Sequence, residues 1–146
     1  MDDMKKKVKT KELELTIPIL PNIELLVGKV VSELARHMKL DQNEEDEVKM
    51  ATIEACLNAF EHSKSKEGKV YLKFQIANDE LMVVVRDSGV GFNPEELNPP
   101  PIEEMLSGKR KRGWGLKIIE NLVDSVEIHS EKGKGTTVII RKRKKG

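Results

Sequence analysis

Only one cysteine, Cys56, occurs in the 146 residues. That excludes an internal disulfide and fits a reducing compartment. Cys56 lies in an apolar helical stretch, where an inert buried thiol is the expectation and a nucleophile the exception. A dominant charge sign is missing too. Twenty-six Lys and Arg stand against 25 Asp and Glu, so no global field directs the chain to nucleic acid or to a membrane surface. No apolar run approaches the length that spans a bilayer, and the opening "MDDMKKKVKT" lacks the apolar core of a secretory signal. A cytoplasmic protein is expected. There is also no internal repeat and no linker that would divide the chain. One domain with a core of its own is therefore expected over residues 11–142, between a flexible amino-terminal stretch (1–10) and a basic tail (143–146). The run from Arg141 to Lys145 reads as a solubilising end, with a binding patch as the alternative.

What is present in excess is charge of both signs, at 35% of the residues, and periodic apolar positions arranged between it. "ELELTIPIL" alternates Leu13, Leu15, Ile17 and Ile19, the period-two pattern of a half-buried strand. Pro18 makes it an edge strand or a strand end. "PNIELLVGKVVSELARHMKL" carries Ile23, Leu26, Val27, Val30 and Leu34 at helical spacing, with Asn22 as the cap. "DQNEEDEVKMATIEACLNAFEHSK" opens with Asp41 and Glu44 at capping-box spacing and reads as one long helix. Its core-facing stripe is expected to be Ile53, Leu57 and Phe60. "KVYLKFQIA" and "ELMVVVRD" form a hairpin turning at "NDE". The 28-residue segment from Ser88 to Gly115 is broken by Gly and Pro and too long for an idle connection, which favours a functional role. "LKIIENLVD" has helical spacing, and "SVEIHSEKGKGTTVIIRKR" is a last hairpin. Strands paired in hairpin order and helices in blocks argue for an α+β fold. The expected architecture is a two-layer sandwich, a mostly antiparallel mixed sheet with helices on one face.

Four stretches carry residues that a plain scaffold does not need. Glu54, Asn58 and His62 recur every four residues, a second stripe beside the apolar one. "RDSGVGF" places Asp87, Gly89 and Gly91 where a strand runs out, offering a fixed acceptor and a backbone that a ligand can approach closely. "KRKRGWGL", from Lys109 to Leu116, is a basic glycine-rich turn leading into a helix, the arrangement that binds anions. "GKGTTV", from Gly133 to Val138, brings adjacent hydroxyls into the final strand. Singly, each has an ordinary structural explanation: surface spacing, a turn glycine, a solvated basic flank, a hairpin. Their value lies in occurring together and in this order.

That order resembles the nucleotide-binding fold shared by sensor histidine kinases, gyrase-type topoisomerases, the ninety-kilodalton heat-shock chaperone and mismatch-repair ATPases. The boxes are "EACLNAFEH", "DSGVGF" and "RGWGLKIIENLVD". Within that group the sequence is most similar to the bacterial anti-sigma-factor serine kinases, which are stand-alone domains with an N-A-x-x-H first box. The resemblance covers residues from about 13 to 141. It implies a Mg²⁺ ligand at Asn58 and a general base at Glu54, one turn earlier on the same face. It implies that Asp87 accepts from the exocyclic amine of adenine, with Gly89 and Gly91 shaping that end of the pocket. Gly113, Gly115 and Leu116 would cradle phosphates, and Thr136 or Thr137 would close the pocket near the base. Arg110 and Arg112 are candidates for the terminal phosphate, or solvated like the rest of "KRKR". Trp114 stands where related sequences carry a smaller or aliphatic residue, against the lid or facing a partner. Residues 93–108 would be the nucleotide lid. His62 matches the family box and is expected to be a hydrogen-bonded structural histidine.

The implied function is an ATP- and Mg²⁺-dependent serine/threonine kinase that sequesters a sigma factor and phosphorylates a small antagonist protein. It would act as a homodimer, with no direct contact to nucleic acid or membrane. Two other readings stand beside it. One is a nucleotide-gated binding module whose catalysis is vestigial. The other is the catalytic piece of a sensor histidine kinase, which would need its phosphoacceptor on another chain.

Overall fold

The computed structural model describes residues 10–62, 68–88, 119–131 and 133–145. In chain order the elements are β1 (Thr10–Pro18), α1 (Ile23–His37), α2 (Gln42–His62), β2 (Lys69–Ala77), β3 (Glu80–Asp87), β4 (Ser125–Glu131) and β5 (Gly135–Arg143). The strands form one sheet in the order β1-β2-β3-β5-β4, and every described pairing is antiparallel. The expected α+β architecture is the one observed. Of the expected helix over "LKIIENLVD", only the part from Ile119 onward lies within the described residues.

Strand alternation decides which face is covered. Val70, Leu72 and Phe74 of β2, Leu81, Val83 and Val85 of β3, and Val138 and Ile140 of β5 are all buried on one side. Each such side chain stabilises the fold by about 1.5–3 kcal/mol through burial. β1 is an edge strand, with Pro18 at its end as expected. Its burial fades along the strand: Ile17 is buried, Leu15 half-buried, and Leu13 40% exposed.

The helices depart from the expected stripes in an instructive way. α2 turns small residues toward the core: Val48, Ala51, Thr52, Ala55, Cys56 and Ala59 are buried. Ile53, Leu57 and Phe60, expected as the core stripe, are only half-buried. Small side chains let the helix lie close, and Ile53 packs to one side against α1. Gly28 of α1 makes that contact possible, because a Cβ there would come 2.9 Å from Cδ1 of Ile53. In α1 the buried positions are Val27, Gly28, Val31, Ser32 and Ala35, whereas Leu26 is 51% exposed.

The helix ends show which local signals were sound. The capping box is complete: Glu44 N–H donates to Asp41 Oδ1 at 2.7 Å, and Asp41 N–H donates to Glu44 Oε1 at 2.9 Å. Asn22 precedes α1, but its side chain makes no cap bond; it serves instead by adopting a left-handed φ of 66°. At the far end of α1, Lys39 (φ 62°) donates to the Arg36 carbonyl and Leu40 to the Ala35 carbonyl, both at 3.0 Å. This is a Schellman closure with a non-glycine residue at its left-handed position.

The basic run at the carboxyl end is built into the fold, contrary to its reading as a solubilising end. β5 continues to Arg143. Arg141 bonds Glu127 and lies 3.8 Å from Glu80, and Arg143 lies 3.2 Å from Glu80. Lys142 is buried, donating from Nζ to Glu47 Oε1 and to the Leu122 carbonyl, each at 3.0 Å. The Lys145 N–H bonds Glu44 Oε2 at 2.8 Å. Acidic side chains on α2, β3 and β4 supply partners that no local sequence pattern announces.

Candidate nucleotide site

α2 presents Glu54 and Asn58 on one face, one turn apart. Asn58 is 3% exposed, among the most buried polar side chains described, and Glu54 is half-buried. Glu47 lies two turns before Glu54 on that face, and its bond to Lys142 fixes the start of α2 over the end of β5. From Glu47 to Asn58 the helix rises about 16 Å. From Lys142 back to Thr136 the strand covers about 20 Å. α2 packs against β3 and β5, the strands that carry Asp87 and Thr136.

That sheet end is closely built. Asp87 closes β3, 5% exposed, with its side chain on the helix-covered face. Directly across on β5 stands Thr136, 4% exposed. Thr136 is in turn opposite Ser130 of β4, and the two hydroxyl oxygens are 2.8 Å apart. Ser130 Oγ also donates to the Gly135 carbonyl at 3.2 Å. Gly135 has φ +86°, and a Cβ there would stand 2.3 Å from the Asp87 carbonyl oxygen. Only glycine permits β5 to start this close to the end of β3.

The structure thus brings together Asp87 and Thr136 and places Glu54 and Asn58 on the helix above the same sheet face. Thr137 does not join them. It alternates to the opposite face, where its register partners are Arg86 and His129. His62 ends α2. Gly89, Gly91, Arg110, Arg112, Gly113, Trp114, Gly115 and Leu116 lie outside the described residues. Two members of the site were missed in the sequence. Gly135 was legible in principle, as the second glycine of "GKGTT". Ser130 had no local signal, because only strand pairing sets it against Thr136.

Buried Asp87, Asn58 and Thr136 offer one carboxylate, one amide and one hydroxyl, a donor and acceptor set suited to a polar, planar ligand. Among the described residues no three His, Cys, Asp or Glu side chains gather as a metal site. The histidine kinase-like ATPase domain family matches residues 22–142. The chain belongs to that family. An anti-sigma F factor of Clostridium acetobutylicum is 33% identical over 114 residues, covering 77% of this chain and 80% of that protein. The serine-protein kinase RsbW of Bacillus subtilis is 29% identical over 127 residues, covering 83% and 79%. Among solved structures, one containing the RsbU and RsbW domains of a Mycobacterium tuberculosis protein matches with a TM-score of 0.68 at 20% identity. It covers 92% of this chain, which spans 32% of that longer one. As a histidine kinase-like ATPase domain, the chain has the box order and the sheet that its sequence led one to expect, with Asp87 at the strand end where the second box begins. No described helix is long and apolar enough to cross a membrane.

Proposed function

We propose that this chain is an ATP-dependent serine/threonine protein kinase of the partner-switching type, which holds a sigma factor inactive and phosphorylates a small antagonist protein. The observation that supports this reading is the buried Asp87–Thr136 pair on the face of the sheet that α2 covers, with Glu54 and Asn58 on one face of α2. The relatives named anti-sigma F factor and serine-protein kinase support it.

Each residue has a role that its chemistry fits. Asp87, an acceptor on a rigid strand end, takes the exocyclic amine of adenine and rejects guanine, which presents a carbonyl there. Thr136, oriented by Ser130, closes that side of the base. Asn58 offers a neutral amide oxygen, a hard ligand that would hold Mg²⁺. When bound, Mg²⁺ neutralises phosphate charge. Glu54, one turn away, accepts the proton of the attacking seryl or threonyl hydroxyl. The hydroxyl oxygen bonds to the γ-phosphorus, the bond to the β-bridging oxygen breaks, and ADP leaves. Positioning and charge neutralisation supply the rate. Gly89, Gly91, Arg110, Arg112, Gly113, Trp114, Gly115 and Leu116 complete the pocket in this proposal.

The protein acts in the cytoplasm as a homodimer. Among the described residues, four of the five exposed large apolar side chains, Leu13, Leu20, Leu25 and Leu26, fall within 14 consecutive residues running from β1 into α1, and an apolar concentration of this kind supports a subunit contact there. The test is transfer of labelled phosphate from ATP to a purified antagonist protein in the presence of Mg²⁺. The expected result is phosphoserine or phosphothreonine on the antagonist, abolished by Glu54→Gln with ATP binding retained. Binding of ATP without any transfer would defeat the kinase reading and leave a nucleotide-gated binding module.

A further inference from the structure

Among the described residues, five large apolar side chains are exposed, and four of them belong to the stretch running from β1 into α1. The fifth, Met50, stands apart on α2 and is 52% exposed. It lies one turn before Glu54, and Leu57, half-buried, lies one turn after. Spacings of four and three put the three side chains on one face of the helix, with about 5–6 Å between neighbours. Other large apolar residues nearby on α2 are engaged: Ile53 packs against α1 and Phe60 against the core. Among the described residues, neither Met50 nor Leu57 packs against that core. The outer face of a helix in so charged a chain ordinarily carries Lys and Glu.

What covers this pair follows from the chemistry of Glu54. A hydroxyl that gives its proton to the carboxylate comes within about 3 Å of it. The chain that brings the hydroxyl then passes over the neighbours of Glu54. In an extended segment each residue advances about 3.3 Å, and alternate side chains share a face. The side chain two residues from the acceptor therefore stands roughly 6.6 Å away on the same face, close to the spacing from Glu54 to Met50 or Leu57. An apolar side chain at that position is buried against Met50 or Leu57, whereas a charged one is stripped of water with no partner. The flexible thioether of Met50 adapts to the shape it meets.

We propose that Met50 and Leu57 form a substrate-recognition surface on either side of Glu54, selecting a serine or threonine with an apolar residue two positions away. This rests on the kinase reading, in which Glu54 takes the hydroxyl proton. The probe is the antagonist protein that accepts labelled phosphate from ATP, its acceptor residue located by mass spectrometry. Met50→Gln keeps the side-chain length at an exposed site and should raise the KM for the antagonist roughly fivefold or more. Its kcat and its KM for ATP should match the wild type. Gln in place of the antagonist's apolar residue should raise the KM similarly, and the two substitutions together should add little to either alone. Leu57→Gln should behave like Met50→Gln, with circular dichroism reporting that it is folded. A wild type that binds ATP and transfers nothing would defeat the kinase reading and this proposal with it. With transfer intact, an unchanged antagonist KM in Met50→Gln, an equal rise in the KM for ATP, or an acceptor with no apolar residue two positions away would overturn this proposal alone.

Discussion

Asp87 and Thr136 face each other across β3 and β5, both buried on the helix-covered side. One residue away on each strand, Arg86 and Thr137 form the corresponding pair on the outer side. Replacing the two threonines should therefore have unequal effects. Thr136→Val removes the hydroxyl that Ser130 orients, and ATP affinity should fall by about 1–2 kcal/mol. Thr137→Val should leave that affinity unchanged. Isothermal titration of both variants decides the point, and equal losses would contradict the assignment of faces.

Gly135→Ala should be severe. The added methyl would stand 2.3 Å from a backbone oxygen at a residue with φ +86°, and neither atom is free to move without separating the strands. A loss of more than about 2 kcal/mol is expected, read as a fall in the urea midpoint. Gly133 also has a positive φ, 83°, but meets nothing within 4 Å. Gly133→Ala should therefore cost about 1 kcal/mol, the backbone strain alone.

Lys142→Met keeps the length of the side chain but strands Glu47 and the Leu122 carbonyl. Because Glu47 is partly exposed, water can recover some of its solvation. The net loss should be about 1–3 kcal/mol, measured by chemical denaturation. If α2 is held in register by this bond, ATP affinity should fall as well. A variant that loses stability and binds ATP unchanged would show that the bond is structural only.

Burial, reinforced by the Glu24 charge, pushes the Cys56 thiol from 9.0 up to about 12. The folded state thus keeps a proton that the unfolded state has lost at intermediate pH. Stability from this group should be fully present below pH 9 and decline between pH 9 and about 12, by ~1.4 kcal/mol per pH unit. Cys56→Ala should flatten that alkaline decline. In native protein at pH 8, Cys56 should react with a thiol reagent only at the rate of unfolding.

The sequence by itself determined what depends on short spans: the period-two strands, the two hairpins, the reciprocal Asp41–Glu44 cap, and the order of the boxes. Each is set by neighbours within a few residues, so the pattern is written where it acts. It also placed Glu54 and Asn58 on one helical face, since a spacing of four guarantees it.

Contacts between distant segments required the tertiary structure. Whether Ile53 or Ala55 faced the core depended on how closely α2 lies on the sheet, and small residues won because they permit closer approach. Whether Thr136 or Thr137 met Asp87 depended on the β3–β5 register, which a shift of one residue would have reversed. The basic run at the carboxyl end looked like solvated charge until Glu44, Glu47, Glu80 and Glu127 were brought against it from elsewhere in the chain. Ser130, likewise, became part of a site only when strand pairing set its hydroxyl against that of Thr136.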